Sequence, residues 1–259
     1  MTLAGAQVSS LRPYLQTEAD VQNSFQKLRR MGYRVVQLQW LAPSLSPDFI
    51  AGALLASGLQ SVSTQDYFDA VEADWGNTVR LHQLCGSRHV CVSGIPGGAV
   101  TKDECLSFVR RAGRMIEALR PLDMVLSFHP RSREFAPVAG QTAVDFVLAQ
   151  LPQMMLGLDC YHAFKAGADV EALLRRYRGR VDFVHFKDFI LDPDGKEHLT
   201  PVGQGCVDWA PVIAACRDTG VPWVFAEQET WEKDAFDCMA ESLGYLKSQG
   251  LPAENSASC

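Results

Sequence analysis

Histidine, carboxylate and lysine side chains follow four short apolar runs between residues 123 and 228 of this 259-residue sequence. In chain order they are His129, then Asp159, then His185 with Lys187, and finally Glu227. Carboxylates balance the charge of a divalent cation such as Mn, Mg, Co or Zn, and a neutral imidazole favours transition metals over calcium. The pattern therefore predicts a metal site with Asp159, His185 and Glu227 as ligands.

Each of these residues has an ordinary structural role when it is taken alone. A histidine at a strand end is more often a hydrogen-bonded rim residue, and an aspartate after a strand usually caps a helix or lies in a loop. Their recurrence on four successive runs favours a shared site instead. Three protein ligands leave coordination positions for water or for two substrate oxygens, as a catalytic metal requires.

The elements that must position these residues alternate along the whole chain. Segments with helical spacing, for example 19–32, 102–120 and 168–179, separate strand-like runs at 4–11, 34–40, 59–64, 88–94, 123–129, 154–159, 181–186 and 223–228. Eight strands and about eight helices over residues 1–259, with no Pro/Gly/Ser-rich linker, predict one α/β domain, a (β/α)8 TIM barrel.

A doubly wound open sheet is the alternative fold. It usually shows a glycine-rich phosphate loop after its first strand, and the stretch SSLRPY at 9–14 is not one. In a barrel, polar residues at the C-terminal ends of the strands meet at one rim, which is where such enzymes carry out chemistry. The same geometry predicts that Lys187 lies at this rim together with His185, because residues two apart on a strand share a face.

Composition and charge exclude several classes of function. A net charge of −6 and a pI near 5.5 argue against a nucleic-acid partner, since such binding depends on clustered Lys and Arg. No run of 18 apolar residues, no signal-peptide pattern at the N-terminus and no C-x-x-C among eight cysteines are present. We therefore expect a cytoplasmic protein with a small-molecule substrate and no membrane partner, and we leave a homo-oligomer open.

Three stretches resemble the sugar phosphate isomerase/epimerase family, the xylose isomerase-like TIM barrels. They are GLDCYHAFKAG at 157–167, VDFVHFKDF at 181–189 and VPWVFAEQE at 221–229. The resemblance implies metal ligation by Asp159, His185 and Glu227. It also implies contact of His162, from the Asp-x-x-His pattern, and of Lys187 with substrate oxygens.

The chain departs from the family pattern at the end of the fifth strand. Many relatives carry Glu-x-His-Pro there, and the Glu is a fourth metal ligand and often an acid or base; this chain reads SFHP, with Ser127 in that place and His129 retained. Glu134 is a candidate replacement ligand, with a solvated loop carboxylate as the alternative. Gln37 stands where many relatives have Glu, and we expect it to contact substrate.

The chemistry implied is proton transfer next to a carbonyl through an enediolate, in a metal-dependent isomerase or epimerase of a sugar, sugar phosphate or keto sugar. We expect His129 or Glu227 as general base, Lys187 polarising a substrate oxygen and Trp40 as an apolar wall. The alternatives are a keto-polyol dehydratase, similar to inosose or dehydroshikimate dehydratases, and a catalytically impaired ligand-binding barrel, which Ser127 favours. A DNA-repair endonuclease fits poorly, because the chain is acidic and has only six histidines.

Overall fold

The computed structural model describes residues 1–254, and eight parallel strands in this range close into a barrel. The strands, named here β1 to β8, are Leu3–Gln7, Val35–Leu38, Gln60–Tyr67, His89–Ser93, Val125–His129, Met155–Asp159, Val181–Phe186 and Trp223–Ala226. Each strand pairs in parallel with its neighbours in chain order, and β1 closes the ring against β8. The predicted TIM barrel is confirmed, and the open sheet is excluded.

Ten α-helices surround the barrel in the described part of the chain. Named α1 to α10, they are Glu18–Met31, Pro47–Ser57, Phe68–Ala73, Trp75–Cys85, Lys102–Leu119, Ala143–Gln150, Cys160–Lys165, Val170–Arg176, Trp209–Thr219 and Ala235–Ser248. Local chemistry sets their ends: α1 begins at a capping box between Thr17 and Asp20 and ends at Gly32, whose φ of 109° suits glycine. None of the helices described is long and apolar enough to cross a membrane.

Two phenylalanines fill the lower part of the barrel interior. Phe183 and Phe225 point inward from β7 and β8, and glycines on the neighbouring strands make room for them. A Cβ atom added at Gly157 would lie 2.3 Å from the Phe183 ring, and one added at Gly5 would lie 2.7 Å from the Phe225 ring. This apolar plug supports the polar residues above it, since the Phe183 ring stacks beneath His185 at 5.1 Å between centroids.

The structure differs from the predicted elements in three places. The run at 4–11 splits into β1 and a 3-10 helix, Val8–Tyr14, because the Gln7 side chain accepts a hydrogen bond from the Ser9 amide and turns the chain. The third strand continues to Tyr67. Further 3-10 turns and two hairpins lie between the main elements, at Arg120–Leu122, Ser132–Phe135, Pro137–Val138 with Gln141–Thr142, and Asp188–Leu191 with Glu197–Thr200.

The hairpin of residues 188–200 lies beside the mouth of the barrel. The Tyr161 hydroxyl donates a hydrogen bond to Glu197, and Lys165 lies 3.2 Å from the same carboxylate. The Tyr161 ring also packs edge-on against Phe189. These contacts hold the hairpin against α7, the helix that follows the metal-ligand candidate of β6.

Candidate metal centre

Four buried side-chain atoms meet at the mouth of the barrel without a hydrogen-bond partner. They come from four successive strand ends and are His129 Nε2, Asp159 Oδ2, His185 Nδ1 and Glu227 Oε2. The ligand atoms of His129, Asp159 and His185 lie within 4.8 Å of one another. His185 Nδ1 and Glu227 Oε2 are 3.0 Å apart but not aligned as a hydrogen bond. We call these four side chains the mouth cluster.

His185 and Glu227 are oriented by neutral groups from β2 and from the 3-10 turn that follows β1. The Gln37 amide oxygen lies 2.6 Å from His185 Nε2, and the Ser9 hydroxyl donates to Glu227 Oε1 at 3.0 Å. Each ligand candidate therefore has one atom held by the scaffold and a second atom free. This is the usual arrangement of metal ligands and their supporting shell.

His129 and Asp159 show the same division between a held atom and a free one. His129 Nδ1 lies 3.1 Å from the Ser93 hydroxyl oxygen, and Asp159 Oδ1 accepts the backbone N–H of His162 at 3.1 Å. Asp159 thus caps α7 with one oxygen while its other oxygen faces the cluster. The ordinary structural role of this residue and the proposed functional role use different atoms.

Lys187 lies among three carboxylates at the same rim. Its ammonium nitrogen is 3.5 Å from Asp159 Oδ2, 3.4 Å from Glu227 Oε2 and 3.1 Å from Glu229 Oε2. Burial acts to lower the pKa of Lys187, but the surrounding carboxylates outweigh it and hold that pKa above its usual range. Lys187 is therefore a cation near pH 7.

The two buried carboxylates of the mouth cluster are ionised for a related reason. Burial opposes ionisation of Asp159, yet the Lys187 ammonium holds its pKa well below the usual range. Burial opposes ionisation of Glu227 as well, but the Lys187 ammonium lowers its pKa to about 2. Two anionic ligand oxygens are thus available at neutral pH.

Charge and hydrogen bonding both fit a divalent cation at the mouth cluster. Asp159 and Glu227 give the mouth cluster a net charge of −2 when its imidazoles are neutral, and the Lys187 ammonium beside it also pairs with Glu229. Buried polar atoms without partners are unfavourable by about 1–3 kcal/mol each. A divalent ion would balance the charge and give all four free atoms a partner.

His162 lies at the edge of the cluster. Its Nε2 is 3.9 Å from Asp159 Oδ2, and its Nδ1 is 3.0 Å from the Ser132 hydroxyl oxygen. Burial lowers the pKa of His162 to about 4, so the ring is neutral at pH 7. The side chain remains about a fifth exposed, which leaves it accessible from the mouth.

Ser127 points away from the mouth cluster. Its hydroxyl donates to the carboxylate of Asp182, which in turn lies 2.6 Å from His89 Nδ1. Asp182 reaches the barrel interior because the β6–β7 pairing skips it, with Leu156 opposite Val181 and Gly157 opposite Phe183. The position of the missing family carboxylate is therefore occupied by a hydrogen-bonded pair one layer below the cluster.

Glu134 is fully buried but is not brought to the mouth cluster. Its Oε1 accepts hydrogen bonds from the Ile95 amide at 3.1 Å and from Arg133 Nε at 2.8 Å. Its Oε2 accepts the Arg131 amide at 2.8 Å. The carboxylate closes the 3-10 turn after β5, so it is neither a solvated loop group nor a member of the cluster.

Gln37 and Trp40 occupy different environments although they are three residues apart. Gln37 is fully buried below the rim, where it contacts His185. Trp40 lines a cavity of about 330 Å³ beside the mouth, together with Gln39 and Gln65. Its φ of 59° is a conformation that non-glycine residues rarely adopt, and the Arg12 guanidinium packs over its ring at 4.8 Å.

The structure adds groups that sequence reasoning missed. Ser9, Ser93 and Gln7 orient or support members of the mouth cluster. A usable signal existed for Ser93, which ends a strand on the same inward face as His129. The contact of Ser9 arises from the 3-10 turn after β1, and the sequence pattern did not indicate that turn.

A protein-family model matches most of the chain. The model for the xylose isomerase-like TIM barrel covers residues 25–249. The chain belongs to this family. Among curated relatives, inosose dehydratase of Lacticaseibacillus casei is 23% identical over 163 residues, covering 56% of this chain and 55% of that protein. The chain thus spans about half the length of the curated relatives it matches.

Solved structures with the same fold superpose on nearly the whole chain. A sugar phosphate isomerase/epimerase from Parabacteroides distasonis ATCC 8503 has a TM-score of 0.78 and 17% identity, with 98% and 96% of the two chains covered. D-allulose 3-epimerase from Methylomonas sp., in complex with D-allulose, gives 0.75, 14% identity, and 96% and 97% coverage. The IolI protein with a bound zinc atom gives 0.73, 14% identity, and 96% and 98% coverage. At these identities the likeness shows the fold alone.

Proposed function

We propose that the protein is a metal-dependent isomerase or epimerase that moves a proton on the carbon next to the carbonyl of a keto sugar or sugar phosphate. The observation that carries the proposal is the mouth cluster, whose four free ligand atoms and net charge of −2 fit one divalent cation. The zinc of the IolI protein and the D-allulose of the Methylomonas epimerase, both on the same fold, support it.

Asp159, His185 and Glu227 would hold the cation, whether Mn, Mg, Co or Zn. Such an ion would polarise the substrate carbonyl and stabilise the negative charge of an enediolate. Lys187 and His162 flank the cluster and would position the substrate oxygens. The cavity beside Trp40 would receive the rest of the carbon chain.

His129 is our proposed general base. Ser127 offers no base, because its hydroxyl is committed to Asp182. His129 is the next inward residue on the same strand, and its Nε2 is free and lies 3.6 Å from Asp159 Oδ2. The same nitrogen would be a fourth ligand if it bound the cation, and His129→Ala separates the two roles because only loss of a ligand lowers metal affinity as much as Asp159→Ala does.

A keto-polyol dehydratase is the second candidate. Removal of a proton next to the carbonyl is common to both reactions, but dehydration then expels a β-hydroxyl group instead of returning the proton. Two observations favour it: the curated relatives are inosose dehydratases, and Ser127 removes the carboxylate that a two-sided proton exchange would use. Lys187 would then protonate the leaving hydroxyl group.

Solvent exchange followed by NMR tests the proposal. The purified protein, loaded in turn with Mn²⁺, Mg²⁺, Co²⁺ and Zn²⁺, is incubated in D₂O with D-allulose, D-fructose, a ketose phosphate and a keto-inositol. Deuterium at the carbon next to the carbonyl, with an epimer or isomer as product, is the expected result. Loss of water from the substrate identifies the dehydratase.

Chelated protein and the Asp159→Ala variant serve as controls, and neither should exchange. Binding of these sugars without exchange under any metal would contradict the proposal and support the ligand-binding barrel. Deuterium exchange that persists in both the chelated protein and Asp159→Ala would show that the reaction does not need the metal.

A further inference from the structure

The direction of one buried amide determines which nitrogen of His185 is free. Gln37 lies on β2 with no solvent exposure, and both ends of its amide group are hydrogen-bonded. Its Nε2 donates to the Ser63 hydroxyl oxygen at 3.0 Å. Its Oε1 accepts from Gln7 Nε2 at 2.7 Å and lies 2.6 Å from His185 Nε2.

The hydrogen bonds around Gln37 favour one orientation of its amide. Ser63 donates its hydroxyl proton to the carbonyl of Thr64 at 3.1 Å, so its oxygen is left to accept from Gln37 Nε2. Gln7 is fixed as well, because its own oxygen accepts the Ser9 amide. These contacts together favour the orientation in which the Gln37 oxygen faces His185.

An amide oxygen only accepts hydrogen bonds, so His185 carries a proton on Nε2. A neutral imidazole with a proton on Nε2 has its lone pair on Nδ1. That atom lies 3.0 Å from Glu227 Oε2 with no hydrogen bond between them. A lone pair facing a carboxylate oxygen at this distance suits two ligands of one cation.

We propose that Gln37 is a positioning residue that fixes the tautomer of His185 and so makes Nδ1 the metal-binding atom. Gln7 and Ser63 hold Gln37 in that orientation. This inference rests on the proposed metal centre and assigns to Gln37 a role other than the substrate contact expected from sequence. It predicts that metal affinity depends on a hydrogen-bond acceptor at position 37 and not on the bulk of the side chain.

Three variants test this role of Gln37. Gln37→Leu removes the oxygen that accepts from His185, Gln37→Glu retains an acceptor oxygen, and Gln39→Leu is the matched control. Gln39 is the next inward residue after Gln37, and its amide pairs with Gln65 rather than with a ligand candidate. Affinity for Zn²⁺ and Mn²⁺ is measured by competition with a chelating dye at fixed pH. Loss of a partner behind a metal-bound histidine lowers affinity by about 10–100-fold.

We expect that loss for Gln37→Leu, a smaller loss for Gln37→Glu because an acceptor for His185 remains, and no change for Gln39→Leu. Long-range ¹H–¹⁵N correlation of the metal-free wild type should show His185 protonated at Nε2, and Gln37→Leu should shift it toward a mixture of tautomers. Wild-type affinity in folded Gln37→Leu would overturn the proposal, as would a proton on Nδ1 in the neutral wild-type ring.

The tautomer measurement needs neither metal nor a variant, so it decides the matter even if Gln37→Leu fails to fold. It also separates this inference from the proposed function. A wild type that binds no metal but has its His185 proton on Nε2 would contradict the metal centre and leave the tautomer assignment standing.

Discussion

The two halves of the barrel mouth use different chemistry. The amides and hydroxyls of β1 to β4 that contact one another or the mouth cluster are Gln7, Gln37, Ser63, Gln65 and Ser93, whereas β5 to β8 and the residues just after them supply the ionisable mouth cluster. Every one of those amides and hydroxyls has a hydrogen-bond partner. Each member of the mouth cluster has one buried atom without a partner.

The two halves therefore have different roles: the neutral half orients the ligand candidates, and the charged half is proposed to bind the metal and carry out the reaction. Neutral groups of the first half reach across the barrel to fix the ligand candidates of the second half, as Gln37 does for His185 and Ser9 for Glu227. An amide or hydroxyl orients a ligand without adding charge that would compete with a cation. The charged half retains the free atoms on which metal binding and proton transfer depend.

Loss of a ligand from the charged half should have the largest effect. Asp159→Ala removes one of two anionic ligands, so we expect affinity for Mn²⁺ or Zn²⁺ to fall by more than the ~100-fold that an outer-shell change can cause. Isothermal titration calorimetry and metal content after dialysis measure it. Asp182→Asn is the control: it changes a buried carboxyl group one layer lower in the same barrel, and the variant should bind the metal as the wild type does. Wild-type affinity in Asp159→Ala would rule out the mouth cluster as the metal site.

Removal of the proposed base should affect rate more than binding. For His129→Ala we expect deuterium exchange to slow by about 10²- to 10⁴-fold, the usual contribution of a positioned acid or base. Metal affinity should fall far less than in Asp159→Ala. Ser127→Ala on the same strand face is the control and should exchange at nearly the wild-type rate. An equal loss of affinity in His129→Ala and Asp159→Ala would instead make His129 the fourth ligand.

The balance of charge at the rim can be broken by Lys187→Met. Loss of one partner from a buried ion pair destabilises a protein by about 3–5 kcal/mol, and we expect that range for the metal-free protein in urea unfolding. A saturating divalent ion should restore part of the loss, because it supplies positive charge to the same carboxylates. Lys165→Met is the control, because it removes an exposed ion pair on α7 and should change the free energy of unfolding by less than about 1 kcal/mol. An unchanged metal-free stability in Lys187→Met would contradict this charge balance.

Buried His82, in the first half of the barrel, should make the free energy of unfolding depend on pH. His82 on α4 is fully buried beside the Thr64 hydroxyl, and burial lowers its pKa to about 4. An unfolded histidine has a pKa near 6.5, so the neutral ring stabilises the fold above that pH and the contribution is lost as pH falls toward 4. Between pH 7 and 5 the loss is about 2 kcal/mol. His82→Gln should remove that part of the pH dependence of unfolding; identical slopes in the two proteins would refute it.

The smallest change in metal affinity is expected from Glu134→Ala. Its carboxylate is fully used by backbone amides and Arg133, so affinity should stay well within the tenfold that marks loss of an outer-shell partner. Stability should fall by about 1–3 kcal/mol, because buried N–H groups lose their acceptor. A loss of metal affinity comparable to that of Asp159→Ala would place Glu134 in the metal shell after all.

Sequence reasoning located the barrel and the charged half of its mouth, for a physical reason. Strand periodicity shows where each run ends, and parallel strands bring those ends to one rim, so Asp159, His185 and Glu227 could be grouped without coordinates. The same pattern cannot show which partner a side chain selects. Gln37 was expected at the substrate, but its contacts with Gln7, Ser63 and His185 arise from the register of three strands.

Two further features depend on pairing that a single sequence does not specify. Asp182 reaches Ser127 only because the β6–β7 ladder skips one residue, and an irregularity of this kind leaves no mark in the apolar pattern. Glu134 is buried because the turn after β5 folds back on the Ile95 amide. In both cases a nonlocal backbone contact, rather than residue type, decides the role of the side chain.

Anomalous diffraction from crystals grown with Zn²⁺ or Mn²⁺ tests the metal centre most directly. We predict one strong peak at the barrel mouth, about 2.0–2.3 Å from Asp159 Oδ2, His185 Nδ1 and Glu227 Oε2 for a transition metal. His185 should present Nδ1 to the ion while its Nε2 keeps the hydrogen bond to Gln37. An empty mouth at saturating metal, or an ion bound elsewhere while these atoms remain without a partner, would contradict the account.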